Sequence, residues 1–329
     1  MTRLDDSTGR FIRTVTGDIV NVPPGVVYAH EHLIIDSPLI AAMFPDIHLY
    51  DVDAAVQETT LSRDAGAALF VDAMPAAAGR DASRLATISE RSGIAIVATT
   101  GLHHDRYYGA LHWSNRASAD ELADLFIADL VDGIDVFDYT GPIVRRTANK
   151  AGLVKAATNG PSLNARDVRN LEAVGMASVS TGAPVLTHCE GGLGGMEQVE
   201  FLSARGVPAG SVILSHVDKS ADLGYLRDLA ATGAYLELDQ TLRQSDRGTE
   251  SISVRAVASL VEAGFGTQIV VGTDGARRAL WRSLGGTPGL AWLASEFGDL
   301  LAQVGLSAQQ ISAIMRDNAL EALRWRGRS

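Results

Sequence analysis

Eight short apolar runs, rich in β-branched residues, are spaced along the chain. They lie at 26–28, 67–71, 94–99, 152–156, 184–187, 211–214, 234–238 and 268–271. Each run is continuously apolar and does not alternate with polar residues, which is typical of strands buried on both faces of a parallel sheet. The pattern therefore predicts eight parallel strands.

Stretches with helical periodicity separate these runs. The clearest lie at 167–181, 193–205, 219–232 and 251–263. Three of them stop at Gly206, Gly233 and Gly264, as the C-termini of helices often do. Eight strands that alternate with helices over about 250 residues predict an α/β fold of the (β/α)8 TIM barrel type. A doubly wound sheet is the alternative.

The two ends of the chain carry additional elements. Segment 11–22 predicts a short N-terminal hairpin that turns at Gly17 and Asp18, and segment 307–325 predicts a helix that closes the barrel. No low-complexity stretch, charge block or linker interrupts the sequence. We therefore expect one domain over residues 1–329.

Composition narrows the class of protein further. Hydrophobic residues make up 46% of the 329 residues, and the net charge of −11 disfavours a phosphate-backbone partner such as nucleic acid. No apolar run reaches the length of a membrane span, and the first fourteen residues lack the apolar core of a signal peptide. The single cysteine, Cys189, forms no intrachain disulfide and is expected to be a packed thiol. We expect a cytoplasmic protein that acts on a small molecule.

In a barrel, the catalytic groups lie at the carboxyl ends of the strands. Six candidates lie at or near the ends of the predicted strands: His30, His32, Lys155, His188, His216 and Asp274. Taken singly they are weak signals, since a lone histidine is often structural and Asp274 could cap a helix. Their coincidence on separate strands predicts a metal site, and four imidazoles with a carboxylate suit Zn²⁺, Mn²⁺, Fe²⁺ or Co²⁺ better than Mg²⁺ or Ca²⁺. Zn²⁺ is the first choice.

Lys155 does not fit this set as an ordinary lysine. A protonated amine would repel divalent ions. Two interpretations remain open from the residues alone: a lysine outside the ion shell, or a lysine converted to a carboxylate.

These motifs together resemble the phosphotriesterase family of the amidohydrolase superfamily, which includes the phosphotriesterase-like lactonases. The resemblance runs from about residue 20 to 325 and rests on His30-x-His32, Lys155 in Gly-Leu-Val-Lys-Ala, Thr187-His188, Ser215-His216 and Gly272-Thr273-Asp274. It implies two divalent ions bridged by an N6-carboxylated Lys155 and a hydroxide. His30, His32 and Asp274 would hold one ion, and His188 and His216 the other. Asp274 would also shuttle a proton to the leaving group, and a homodimer is expected.

The loops indicate the substrate less strongly. Arg277 and Arg278 follow Asp274 and resemble the branch of the family that acts on phosphorylated sugar lactones, although Leu280 and Trp281 stand where that branch usually has a tyrosine. Arg243 is a further candidate cation. Tyr108, after the third strand, is a candidate donor to the lactone ring oxygen or a surface aromatic.

The resulting hypothesis is a metal-dependent lactonase that opens a sugar lactone, with or without a phosphate. The alternatives are a phosphotriesterase acting on organophosphate esters and a ligand-binding barrel without activity. The glycines at 191, 192, 194 and 195 lack the lysine of a nucleotide phosphate loop and predict close passage of the backbone over the site.

Overall fold

A computed structural model describes residues 10–326. The chain begins with an antiparallel hairpin of β1 (Ile12–Thr14) and β2 (Gly17–Ile19). Its turn lies at residues 15 and 16, so the predicted turn at Gly17 and Asp18 is wrong by two positions. The reason is Thr14, whose hydroxyl donates to the Gly17 carbonyl at 2.7 Å and accepts from the Thr16 N–H, which closes a tighter turn.

All eight predicted strands are present in one parallel sheet. They are β3 (Val26–Glu31), β4 (Ala67–Asp72), β5 (Ala95–Gly101), β6 (Ala151–Thr158), β7 (Val185–Cys189), β8 (Val212–Ser215), β9 (Tyr235–Leu238) and β10 (Ile269–Val271). The ladder follows chain order from β3 to β10. Just beyond β10, the N–H groups of Thr273 and Asp274 donate to the His30 carbonyl of β3, at 3.2 and 3.0 Å. This seam closes the barrel and excludes the doubly wound alternative.

Helices surround the strands on the outside. The α-helices are α1 (Pro38–Met43), α2 (Val52–Asp64), α3 (Ala82–Ser92), α4 (Ala119–Val131), α5 (Ala165–Thr181), α6 (Gly195–Ser203), α7 (Leu223–Ala231), α8 (Ile252–Glu262), α9 (Gly298–Gln303), α10 (Ala308–Ser312) and α11 (Asn318–Ala322). The four predicted helices exist with shifted starts. For example, α5 begins at Ala165 because the Asn164 side chain accepts from the N–H groups of Arg166 and Asp167.

The predicted closing helix is α10 and α11 joined by a π-helical turn, Ala313–Asp317. It ends before Trp325, whose N–H donates to the Phe11 carbonyl at 2.9 Å and whose indole N–H donates to Gly152 at 2.7 Å. The rings of Phe11 and Trp325 stack with centroids 5.3 Å apart. Hairpin and final segment thus cover the amino-terminal end of the barrel together.

The interior of the barrel is apolar toward the amino-terminal ends of the strands and polar toward their carboxyl ends. Aliphatic side chains from seven of the eight strands pack inside it: Val27, Leu69, Val97, Leu153, Leu186, Ile213 and Val270. Further along the same strands, the buried side chains become histidine, lysine and carboxylate. The packed layer therefore forms a rigid base for the polar residues at the carboxyl ends.

Within residues 10–326, no helix combines the length and apolar character needed to cross a membrane. The predicted absence of a signal peptide concerns residues that lie mostly outside the described range, as do the two ends of the predicted domain.

Candidate metal centre

The six strand-end candidates lie at the carboxyl end of the barrel, and each is at most 9% exposed. His30 lies in β3, Lys155 in β6 and His188 in β7. His32 and His216 directly follow β3 and β8, and Asp274 lies three residues after β10. The ring of His216 lies 4.7 Å from that of His30 and 4.4 Å from that of His188, centroid to centroid. The structure therefore brings together residues that are up to 244 positions apart in sequence.

Two of these residues have a left-handed backbone, which is unusual for residues other than glycine. The φ angle is +65° at His216 and +43° at Asp274. The His216 N–H donates to Asp239 at 2.9 Å, and Glu31 accepts from Thr273 and Gly275 on either side of Asp274. These contacts hold both residues in strained conformations, as is common at functional sites.

Carboxylates fix the orientation of three imidazoles. Nδ1 of His30 lies 2.9 Å from Glu237, Nδ1 of His216 lies 2.8 Å from Asp239, and Nε2 of His188 lies 2.9 Å from Glu190. In metal sites, such a partner holds the proton on one ring nitrogen and leaves the other free to bind the ion. Burial also lowers the pKa of all three imidazoles well below the usual value, which favours the neutral, ligating form.

The imidazole nitrogens that have no hydrogen-bond partner fit a metal centre. Among the described residues, His30 Nε2, His32 Nδ1 and His188 Nδ1 are buried without a hydrogen-bond partner. Buried polar atoms are rarely left this way. Candidate ligand atoms of His30, His32 and Asp274 lie within 4.8 Å of one another, and so do those of His30, His216 and Asp239. These donors fit divalent transition metals.

One ligand nitrogen of His188 forms a third group with those of His103 and His104, which lie two and three residues after β5. Our selection of strand-end residues omitted this pair and also omitted Asp239, which directly follows β9. The same rule, applied to every strand, would have found all three.

Lys155 is fully buried, and its Nζ donates to the Ala73 carbonyl at 2.9 Å. Burial lowers the pKa of this amine to about 8, although Asp274 and Glu237 act in the opposite direction. A larger fraction of the amine is therefore neutral near neutral pH than in an ordinary lysine, while the protonated form still predominates.

Asp274 forms an ion pair with Arg243, with 2.8 Å between the guanidinium and the carboxylate. Burial by itself would raise the pKa of Asp274, but Arg243 and the neighbouring histidines hold it well below the usual range. The group therefore remains a carboxylate able to accept a proton.

A cavity of about 310 Å³ lies next to the strand-end residues at the carboxyl end of the barrel. It is lined by His32, His188, His216 and Asp274 together with four cationic side chains, Arg106, Lys219, Arg243 and Arg277. Sequence reasoning missed Arg106 and Lys219. Lys219 lies only three residues after His216, on the loop that this strand end introduces.

Two predicted substrate contacts lie elsewhere. Arg278 does not line the cavity; it donates to the His48 carbonyl at 3.0 Å and packs over Tyr50. Tyr108 is buried, and its hydroxyl donates to the Ala76 carbonyl while accepting from the His103 N–H. The tyrosine that lines the cavity is its neighbour Tyr107. Both discrepancies arise in loops, where adjacent side chains point in different directions.

Cys189 is a packed thiol, as predicted. It is fully buried, and burial raises its pKa to about 12. The nearby glycines also allow close passage of the backbone, because a Cβ on Gly192 would lie 2.7 Å from the Ser220 nitrogen.

The chain is similar in sequence and in structure to known proteins. The model of the phosphotriesterase family matches residues 11–323. A phospho-furanose lactonase of Mycoplasmopsis agalactiae is 30% identical over 95% of this chain and 91% of its own length. Among solved structures, an amidohydrolase from Mycoplasma synoviae superposes with a TM-score of 0.90 at 28% identity, covering 99% of this chain and 94% of that one. A lactonase from Listeria monocytogenes gives 0.85 at 26%, covering 95% and 98%. The chain belongs to the phosphotriesterase family and is a hydrolase.

Proposed function

We propose that the protein is a metal-dependent lactonase that opens a phosphorylated sugar lactone. The observation that carries this proposal is one cavity lined both by four of the candidate metal ligands and by three cationic side chains, Lys219, Arg243 and Arg277, from three consecutive loops. The names of the lactonase relatives support it.

Two divalent ions would be held by His30, His32 and Asp274 on one side and by His188 and His216 on the other. Zn²⁺ is our first choice, with Mn²⁺, Co²⁺ and Fe²⁺ as alternatives. Such ions would acidify a water molecule and polarise the carbonyl oxygen of the substrate.

We propose that Lys155 is N6-carboxylated and would serve as a shared anionic ligand of both ions. The lowered pKa of its amine supports this, because only a neutral amine adds carbon dioxide. The product is an anion, so it replaces the cation that made an ordinary lysine an unsuitable ligand.

Asp274 is the proposed proton carrier. Its carboxylate accepts a proton from the attacking water as the oxygen bonds to the carbonyl carbon. It then returns that proton to the ring oxygen as the ring C–O bond breaks, so the product is a hydroxy acid. Arg243 keeps the carboxylate deprotonated for the first of these steps.

The phosphate would bind between Lys219, Arg243 and Arg277. Lys219 replaces Arg278 in this proposal because it lines the cavity and Arg278 does not. A neutral organophosphate triester carries no negative charge for these cations to bind, so the phosphotriesterase alternative is less well supported.

The test is hydrolysis of matched γ-lactones with and without a 5-phosphate, alongside paraoxon, by protein with its metal content measured. We expect the phosphorylated lactone to give the highest kcat/KM. Turnover of paraoxon above every lactone, or no turnover of any lactone, would contradict the proposal. The cytoplasmic location and the homodimer stay predictions.

A further inference from the structure

The loop after β5 holds a histidine that the proposed reaction does not use. The ring of His103 lines the cavity, 4.4 Å from the Tyr107 ring and 5.0 Å from the His188 ring between centroids. β5 is the third strand of the barrel and β9, which precedes Arg243, is the seventh. In an eight-stranded barrel these two strands lie on opposite sides. His103 therefore lies across the cavity from Arg243, while Arg106 adds a cation on its own side.

Three hydrogen bonds fix His103 in place. Its backbone N–H donates to the Tyr108 hydroxyl at 2.7 Å, and its carbonyl accepts from Arg166 at 2.8 Å. Its ring Nδ1 accepts from the backbone N–H of His104 at 2.7 Å. Backbone and ring are thus both held, which makes this side chain pre-organised.

The last of these contacts also decides which ring nitrogen carries the proton. A backbone N–H can only donate, so Nδ1 must accept and the proton of the neutral ring is on Nε2. None of the hydrogen bonds formed among residues 10–326 uses Nε2. His103 therefore presents a fixed N–H donor at the cavity without an acceptor from the protein.

A metal-ligand role for His103 fits less well, although its ligand atoms lie close to those of His104 and His188. Coordination through Nδ1 would break the bond from His104, and coordination through Nε2 would require loss of its proton. Donation to a ligand oxygen requires neither change.

We propose that Nε2–H of His103 donates to a ring hydroxyl of the sugar lactone and so selects hydroxylated lactones over deoxygenated and lipophilic ones. This inference rests on the proposed function. A substrate whose phosphate lies against the loops after β8, β9 and β10 extends its hydroxyl-bearing ring across the cavity toward β5. A lactone without that hydroxyl covers this donor and gives it no acceptor, which disfavours its binding.

The experiment compares two 5-phosphorylated γ-lactones, one with both ring hydroxyls and one 2,3-dideoxy. His103→Phe keeps an aromatic ring and removes the donor, while His103→Gln keeps an N–H donor. We expect His103→Phe to lower kcat/KM about 10- to 100-fold on the hydroxylated lactone and less than about threefold on the dideoxy lactone. His103→Gln should lose less on the hydroxylated lactone. His112→Phe, on the same loop but outside the cavity, is the matched control.

Equal losses on both lactones would overturn the inference, and so would loss of a metal ion from folded His103→Phe protein. A second measurement does not depend on turnover. ¹⁵N NMR of histidine-labelled protein, with His103 assigned through the Gln variant, should show the proton on Nε2, and a proton on Nδ1 would overturn the inference. Wild-type protein that opens neither lactone would instead contradict the proposed function, while the NMR result would still report on His103.

Discussion

The cavity has a floor made by strand ends and a wall made by loops, and the two are built differently. On the floor, each of three imidazoles has a carboxylate within 2.9 Å of one nitrogen and is almost fully buried. On the wall, Arg277 is 60% exposed and lies 3.7 Å from Asp46. The floor is thus pre-organised for one chemistry, whereas Arg277 on the wall makes weaker contacts, and we propose that the wall selects the substrate.

This comparison predicts that changes on the floor affect every substrate and changes on the wall affect only some. The largest effect should follow from Asp274→Asn, which keeps the shape and much of the metal but loses the proton acceptor. We expect kcat to fall by about 10³- to 10⁴-fold on lactones with and without phosphate. Steady-state kinetics with metal analysis tests this, and near-normal turnover would show that Asp274 is not the proton carrier.

The second largest effect should follow from Lys155→Ala. We expect the barrel to fold, as judged by circular dichroism, while metal content drops below two ions and activity falls at least about 100-fold, because the bridging anion is lost. Added acetate or propionate should restore part of the activity by supplying a carboxylate. Full metal content and activity in the variant would contradict the bridging role.

A smaller effect should follow from Glu237→Gln, which keeps the size of the side chain next to His30 but removes its charge. We expect a decrease of about 10-fold in affinity for Zn²⁺, measured by competition with a chelator. Glu200→Gln, on the exposed face of α6, is the control and should leave the affinity unchanged. Equal affinities in all three proteins would mean that the carboxylate does not orient the ligand.

The smallest effect is expected in a comparison of Arg277→Ala with Arg278→Ala. This comparison is also the sharpest test of the role assigned to the loop residues. Arg277 lines the cavity, so its loss should lower kcat/KM about 10-fold on a phosphorylated lactone and scarcely at all on the unphosphorylated one. Arg278 contacts a backbone carbonyl and Tyr50, so its loss should change neither by more than about twofold. Similar losses in both variants would contradict the assigned positions.

The difference between strand ends and loops also explains which parts of the site could be predicted from sequence. Parallel strands in a barrel must bring their carboxyl ends to one rim, so His30, His188 and Asp274 could be placed together without any coordinates. The loops obey no such rule. Tyr107 and Tyr108 are adjacent, and only the three-dimensional path of the loop decides that Tyr107 lines the cavity while Tyr108 supports His103.

The contact between Phe11 and Trp325 has a practical consequence. Phe11 and Trp325 meet on the face opposite the cavity, where backbone and ring contacts hold them together. Ends of a domain that lie close together tolerate circular permutation and fusion. A short linker between residues 11 and 325 would therefore leave the loops around the cavity undisturbed, and new ends could be opened in an outer helix connection. In such a chain, the loops that line the cavity could be exchanged while the contact between Phe11 and Trp325 on the opposite face maintains the barrel.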